Sequence, residues 1–179
     1  VADVIELDPV DHLAAGAIGE PGNRTFLIQA RRGASELTVL VEKQQVALLA
    51  AESNAFLDRV AEDHPEPESN AESIGAIGAA LDAPAEPLFR ALLIGLGYDP
   101  ARDLVLIELR ERGEPDEDDV SEDSTDPADE GRLARLYATR AQVRAMAVRA
   151  LEAVASGRPS CPLCEFPMDP AGHICPRWN

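Results

Sequence analysis

The sequence predicts an α+β protein of two similar β-β-β-α halves, with mainly antiparallel sheet and a C-terminal zinc knuckle. Three observations predict it. Short runs of alternating apolar and polar residues give way to three- and four-residue apolar steps at Lys43 and again after Thr139. The same order of strands followed by a helix occurs on both sides of the middle of the chain. All three cysteines of the 179-residue chain lie in its last 19 residues.

The first half begins with His12–Gly19, expected to form a hairpin with Arg24–Arg31 around the turn formers Gly19-Glu20-Pro21-Gly22-Asn23. Phe26, Ile28 and Ala30 share one face of the second strand. Leu37, Val39 and Val41 share one face of a further strand, Glu36–Glu42. From Lys43, residues Val46, Leu49, Ala50, Ser53, Leu57 and Val60 recur at helical spacing. His64–Asn70 (HPEPESN) reads as a connector, followed by a short helix within Ala71–Asp82.

The second half runs Leu88–Leu96 as a strand, Gly97–Pro100 as a turn, Leu104–Arg110 as a strand and Arg132–Ala138 as a third strand. The alternative is one long helix over 132–156, which its Ala, Leu and Arg content permits. Thr139 followed by Gln142 forms a capping-box pattern for a helix lined by Val143, Met146, Ala147, Ala150, Leu151 and Val154, stopped at Gly157 and Pro159. Setting Glu42–Ala51 (EKQQVALLAA) against Thr139–Val148 (TRAQVRAMAV) aligns Gln45 with Gln142 and Val46 with Val143. The expected organisation is therefore halves of about 1–63 and 86–158 in one α+β domain, followed by the knuckle at 159–179.

Charge sets the excluded classes. With 16 basic and 33 acidic residues the chain carries −17, which disfavours wholesale contact with nucleic acid or anionic lipid. Glu114–Glu130 holds ten of the carboxylates and no base, and is expected to be a disordered loop held loosely near Arg132, Arg135 and Arg140. Apolar residues at 45% support a core, and no apolar run approaches the ~20 residues of a membrane span. The acidic opening Val1–Asp11 does not read as a signal peptide, so a cytoplasmic protein is expected.

The tail carries the chemistry. Cys161 and Cys164 stand three apart, the spacing at which a tight turn aims two thiolates at one ion. His173 and Cys175 stand two apart, which places them on one face of an extended segment. Together they form a Cys₃His set for tetrahedral zinc. Prolines 162, 167, 170 and 176 leave a stretch that buries little by itself, so a metal staple is expected. Four protein ligands leave no open position for water, so the expected role is structural. A thiol-redox pair would sit at a helix start after a strand, whereas these cysteines follow a helix.

CPLC at Cys161–Cys164, the pattern P-x-DP-x-GH-x-CPR-x-N that follows it, GEPG-x-RTF at Gly19–Phe26 and EKQQV at Glu42–Val46 resemble an uncharacterised bacterial family best represented in actinobacteria. The resemblance covers most of the chain outside 64–85 and the acidic segment. It implies zinc binding by Cys161, Cys164, His173 and Cys175, and it brings no established activity. Relatives tend to have glycine where Glu165 stands, which makes the turn after Cys164 less comfortable here, and they continue past the final Asn.

Other candidates are weaker. Gly16-x-x-Gly19-x-x-Gly22 has phosphate-loop spacing but opens a strand, so a structural turn is expected. Arg24, Glu42, Lys43, Gln45 and Arg90 are possible ligand or partner contacts, set against capping and ion-pairing roles. His12 and His64 have no catalytic partner at a recognisable spacing. Arg132–Arg158 carries six arginines against Glu152 alone, yet lacks aromatic interleaving apart from Tyr137. The function expected is a protein-binding or adaptor module. An enzyme acting on a phosphorylated or anionic small molecule near Arg24, Lys43 and Arg90 is the alternative, and a nucleic-acid module comes third. The first class should expose an apolar patch or groove, and the second a pocket of convergent polar groups.

Overall fold

The computed structural model describes residues 3–65, 80–82, 86–111, 131–169 and 172–178. The chain runs β1 (Val4–Leu7), β2 (His12–Ile18), β3 (Thr25–Arg32), β4 (Ser35–Val41), α1 (Lys43–Asp63), β5 (Phe89–Asp99), β6 (Leu104–Glu111), β7 (Leu133–Ala138) and α2 (Arg140–Ala155). The acidic segment 114–130 and residues 66–79 of the expected connector and short helix lie outside the described residues. Residues 80–82 are not helical.

All seven strands join one sheet in the order β1-β7-β6-β5-β4-β3-β2. The sequence had suggested a separate sheet for each half. α1 explains the difference: a helical crossover returns the chain so that β5 starts alongside β4 and pairs with it in parallel, through Val39↔Phe89 and Leu40↔Arg90. β1 pairs with β7 in parallel, and the pairs β2/β3, β3/β4, β5/β6 and β6/β7 are antiparallel. β1 itself was missed, because four residues with a single buried position give no readable alternation. The sheet curls. Val10 N donates to Tyr137 O and Asp11 N to Arg31 O, both at 2.8 Å, so the link between β1 and β2 touches strands from both ends of the sheet.

The expected turn at Gly97–Pro100 is displaced. β5 continues through Gly97 and Tyr98 to Asp99, paired in register with Leu104 of β6. Leu106 of β6 packs over Gly97, which leaves a glycine in mid-strand no reason to turn. Residues 133–138 are strand, not the first turns of a long helix, and α2 begins at its Thr139 cap.

The predicted stripe of α1 is buried residue for residue, from Val46 to Val60. In α2, Val143, Met146, Ala147 and Ala150 are buried, whereas Leu151 is exposed. The two helices pack on each other, and α2 also packs on β2. Their stripes join one apolar cluster with Phe26, Ile28, Val39, Val105, Ile107 and Leu136 from the sheet.

Two glutamines tie the helix starts to the sheet. Gln45 Oε1 accepts from Glu42 N at 2.8 Å while Nε2 donates to Ala91 O and Leu92 O, at the register shift in β5. Gln142 Oε1 accepts from Thr139 N at 2.9 Å while Nε2 donates to Val10 O at 3.1 Å. The same atoms do the same work at both junctions.

Candidate metal centre

After α2 the chain turns back on itself. Cys161 N donates to Phe166 O at 2.8 Å, Glu165 N to Cys161 O at 2.9 Å, and Met168 N to Pro159 O at 2.8 Å. This tight turn requires Glu165 at φ +64°, the left-handed region that glycine adopts at less cost. A second bridge, Asp169 with Gly172 at φ +121°, brings the following segment alongside.

Cys161, Cys164, His173 and Cys175 converge, with one ligand atom from each lying within 4.8 Å of every other. Cys161 Sγ and Cys175 Sγ are 3.8 Å apart and both residues are buried; Cys164 Sγ lies 3.1 Å from His173 Nε2. Thiolates ~2.3 Å from a tetrahedral ion stand about 3.7 Å from each other, so the observed pair is spaced for a shared metal. The backbone amides of Cys164 and Leu163 point at Cys161 Sγ and hold its thiol down at about 6, which favours the ligating thiolate at neutral pH. Burial pushes the Cys164 thiol up. The donor set fits a metal ion.

The knuckle leaves several large apolar side chains exposed. Among its exposed residues are four large apolar side chains, Ile174 at 96%, Trp178 at 80%, Phe166 and Leu163, interspersed in sequence with the charged Glu165, Asp169 and Arg177. A cleft of about 580 Å³ runs between the knuckle and the body, walled by Pro21, Pro159, Met168 and Trp178 and backed by Cys161 and Cys175. Sequence reasoning passed over these residues; their signal was four large apolar side chains in a proline-rich tail with no periodicity to bury them.

The weaker candidates separate. Arg24 caps α2: Nη1 donates to Ala153 O at 2.9 Å and Nη2 to Ser156 O at 2.6 Å, where the helix leaves carbonyls without partners. Glu42 pairs with Arg90, both exposed. Gln45 serves the helix start, as described above. Lys43 is exposed and lines a second cleft with Arg24 and Arg158; Arg90 does not line it. Gly19 and Gly22, at φ +104° and +99°, form the hairpin turn, and a Cβ at Gly19 would come within 2.5 Å of Asn23 O. His12 Nε2 is buried without a hydrogen bond among the described residues.

The model of the family described as a protein of unknown function, DUF3090, matches residues 5–175, a span that includes all four candidate ligands. The chain belongs to the DUF3090 family. No curated protein and no solved structure matches it. In this DUF3090 protein the knuckle and the clefts beside it are the features that bear on function. No described helix is long and apolar enough to cross a membrane.

Proposed function

We propose that this protein is a zinc-binding docking module: a structural zinc ion staples the knuckle, and the stapled knuckle presents Phe166 and Ile174 to another protein. The exposed apolar surface of the knuckle is the observation that supports this most. Four large apolar side chains exposed within one short segment suit a binding role, and aromatic anchors concentrate binding energy. A knuckle fixed by metal presents them with little ordering left to offset on association. Three thiols kept for a metal suit a reducing, cytoplasmic setting. The two strand-to-helix units, with Gln45 and Gln142 in equivalent roles, would be a duplicated scaffold.

The arginine-rich stretch argues for a protein partner over nucleic acid. Arg132, Arg135, Arg140, Arg144, Arg149 and Arg158 each face a carboxylate: Glu111, Glu108, Asp103, Asp58, Glu152 and Asp169. Paired in this way, these arginines form no row of free cations that could follow a nucleic-acid backbone. The test is crosslinking in cells with wild type and with a Phe166→Ser, Ile174→Ser double variant, each first shown to carry one zinc. A partner crosslinked by wild type and lost from the variant supports docking through the knuckle. Identical profiles would overturn it.

A further inference from the structure

The cleft that holds Lys43 is unusual for so acidic a chain. It measures about 250 Å³ and is lined by Gly22, Arg24, Phe26, Lys43, Arg158 and their neighbours, with no acid among the described residues of its lining. Three cations reach it from the start of β3, the first turn of α1 and the segment after α2, although the chain carries −17.

Two glycines lie beside these cations. A Cβ on Gly22 would make ordinary contact with Arg158, 3.4 Å from its Cζ and Nε, and one on Gly157 would lie 3.1 Å from Lys43 Nζ, the flexible end of that side chain. Arg158 and the tip of Lys43 thus lie beside bare backbone. Their charges are not equally committed. Arg24 donates to the α2 terminus, and Arg158 pairs with Asp169. Lys43 makes no ion pair or side-chain hydrogen bond among the described residues.

The cleft also adjoins the larger apolar one. Both are lined by Gly157 and Arg158; the larger adds Pro21, Met168 and Trp178, the carboxylate of Asp169 that pairs with Arg158, and the candidate metal ligands Cys161, His173 and Cys175. A basic recess beside an apolar trough, together within the usual size of small-molecule sites, is complementary to an amphipathic anion. We propose that the two clefts form one binding site for a small organic anion, with an oxyanion head at Lys43 and Arg158 and an apolar body against Met168 and Trp178. Arg24 orients the head from its fixed position on α2. The head is a phosphate or a carboxylate. Phe166 and Ile174, on which the docking reading rests, line neither cleft, so with the metal in place the two proposals are tested separately.

Trp178 is the only tryptophan in the chain, and it reports on its own wall of the site. The zinc-loaded full chain is titrated at physiological salt with phenyl phosphate, phenylacetate and neutral benzyl alcohol, following tryptophan fluorescence. One of the two anions should give a saturable change, which identifies the head group, and benzyl alcohol should bind at least about tenfold more weakly. Lys43→Ala, with unchanged circular dichroism and zinc content, should weaken the anion about tenfold or more, and Lys43→Arg should restore most of the affinity. No saturable change with either anion up to about 10 mM, or equal affinity in Lys43→Ala, would overturn the proposal.

Discussion

Arg140 Nε donates to Asp103 Oδ1 at 2.6 Å, an ion pair in which the arginine side chain is only 5% exposed. Nη2 of the same guanidinium donates to Tyr98 Oη at 2.7 Å, and Nη1 to His64 O at 2.6 Å. Tyr98 Oη donates in turn to Asp103 Oδ1 at 2.8 Å. The first residue of α2 thus clamps the β5–β6 turn and the end of α1 together. Desolvation on burial and the bond to Asp103 push the Tyr98 hydroxyl above its ordinary range, so it stays a donor.

Replacing Arg140 by alanine should therefore destabilise the fold out of proportion to its place at a helix end. Removing one partner of a buried pair costs about 3–5 kcal/mol; Asp103 is 40% exposed and regains water, so about 2–3 kcal/mol is expected. Urea denaturation should show a lower midpoint at unchanged slope. Arg140→Lys should recover little, because the three acceptors are spread around Nε, Nη1 and Nη2 and a single ammonium nitrogen cannot reach all of them.

That clamp was not legible in the sequence, where Arg140 counted as one arginine of a basic stripe and as an expected contact of the acidic segment. Its partners lie 37, 42 and 76 residues away, and no periodicity encodes such distances. What was legible was local. The buried stripe of α1, the Thr139–Gln142 box and the strands around Phe26 and Leu37 follow from side-chain spacing within one element. The four residues of the candidate metal cluster could be picked out because soft donors are rare and clustered. The single curled sheet and the clefts beside the knuckle depend on contacts between elements and emerged only with the coordinates.

Ser53 offers the opposite test. It is fully buried in the stripe of α1, and its Oγ has no hydrogen-bond partner among the described residues. Ser53→Ala removes an unpaired hydroxyl and substitutes the best helix former, so a gain of about 1 kcal/mol is expected. A loss of similar size in thermal denaturation would mean that the hydroxyl has a partner after all.

The link between β1 and β2 should show itself in acid. The bond from Arg102 holds the Asp8 carboxyl below its ordinary value, partial burial opposing it. A depressed folded pKa contributes stability that is complete above the unfolded value of about 4 and is lost as pH falls through the folded one. The contribution of this solvent-screened pair is small. The melting temperature of Asp8→Asn should thus lie below wild type by a constant amount from pH ~7 to ~5, with the gap closing below pH ~4. A gap that persists undiminished to the acid end would show that Asp8 acts through packing instead of charge.

Glu165 occupies a left-handed position at φ +64°, one residue past Cys164. An L-residue there costs roughly 1–2 kcal/mol, part of which glycine gives back as added freedom in the unfolded chain. Glu165→Gly should strengthen metal binding two- to fivefold, equivalent to about 0.5–1 kcal/mol, in competition with a chelator. Glu165→Val, β-branched, should weaken it. Equal affinities across the three proteins would show that the turn bears no strain.

Metal content bears most directly on the account, because the knuckle, its exposed apolar surface and the larger cleft all depend on a filled Cys₃His site. Protein purified without added metal and measured by elemental analysis should contain one zinc per chain, with Cys161, Cys164 and Cys175 unreactive to a thiol reagent until a chelator is added. Replacement of zinc by cobalt(II) should give the intense visible bands of a tetrahedral site with three thiolates and one imidazole. Well under one equivalent of metal, with all three thiols freely titratable in the folded chain, would contradict the account.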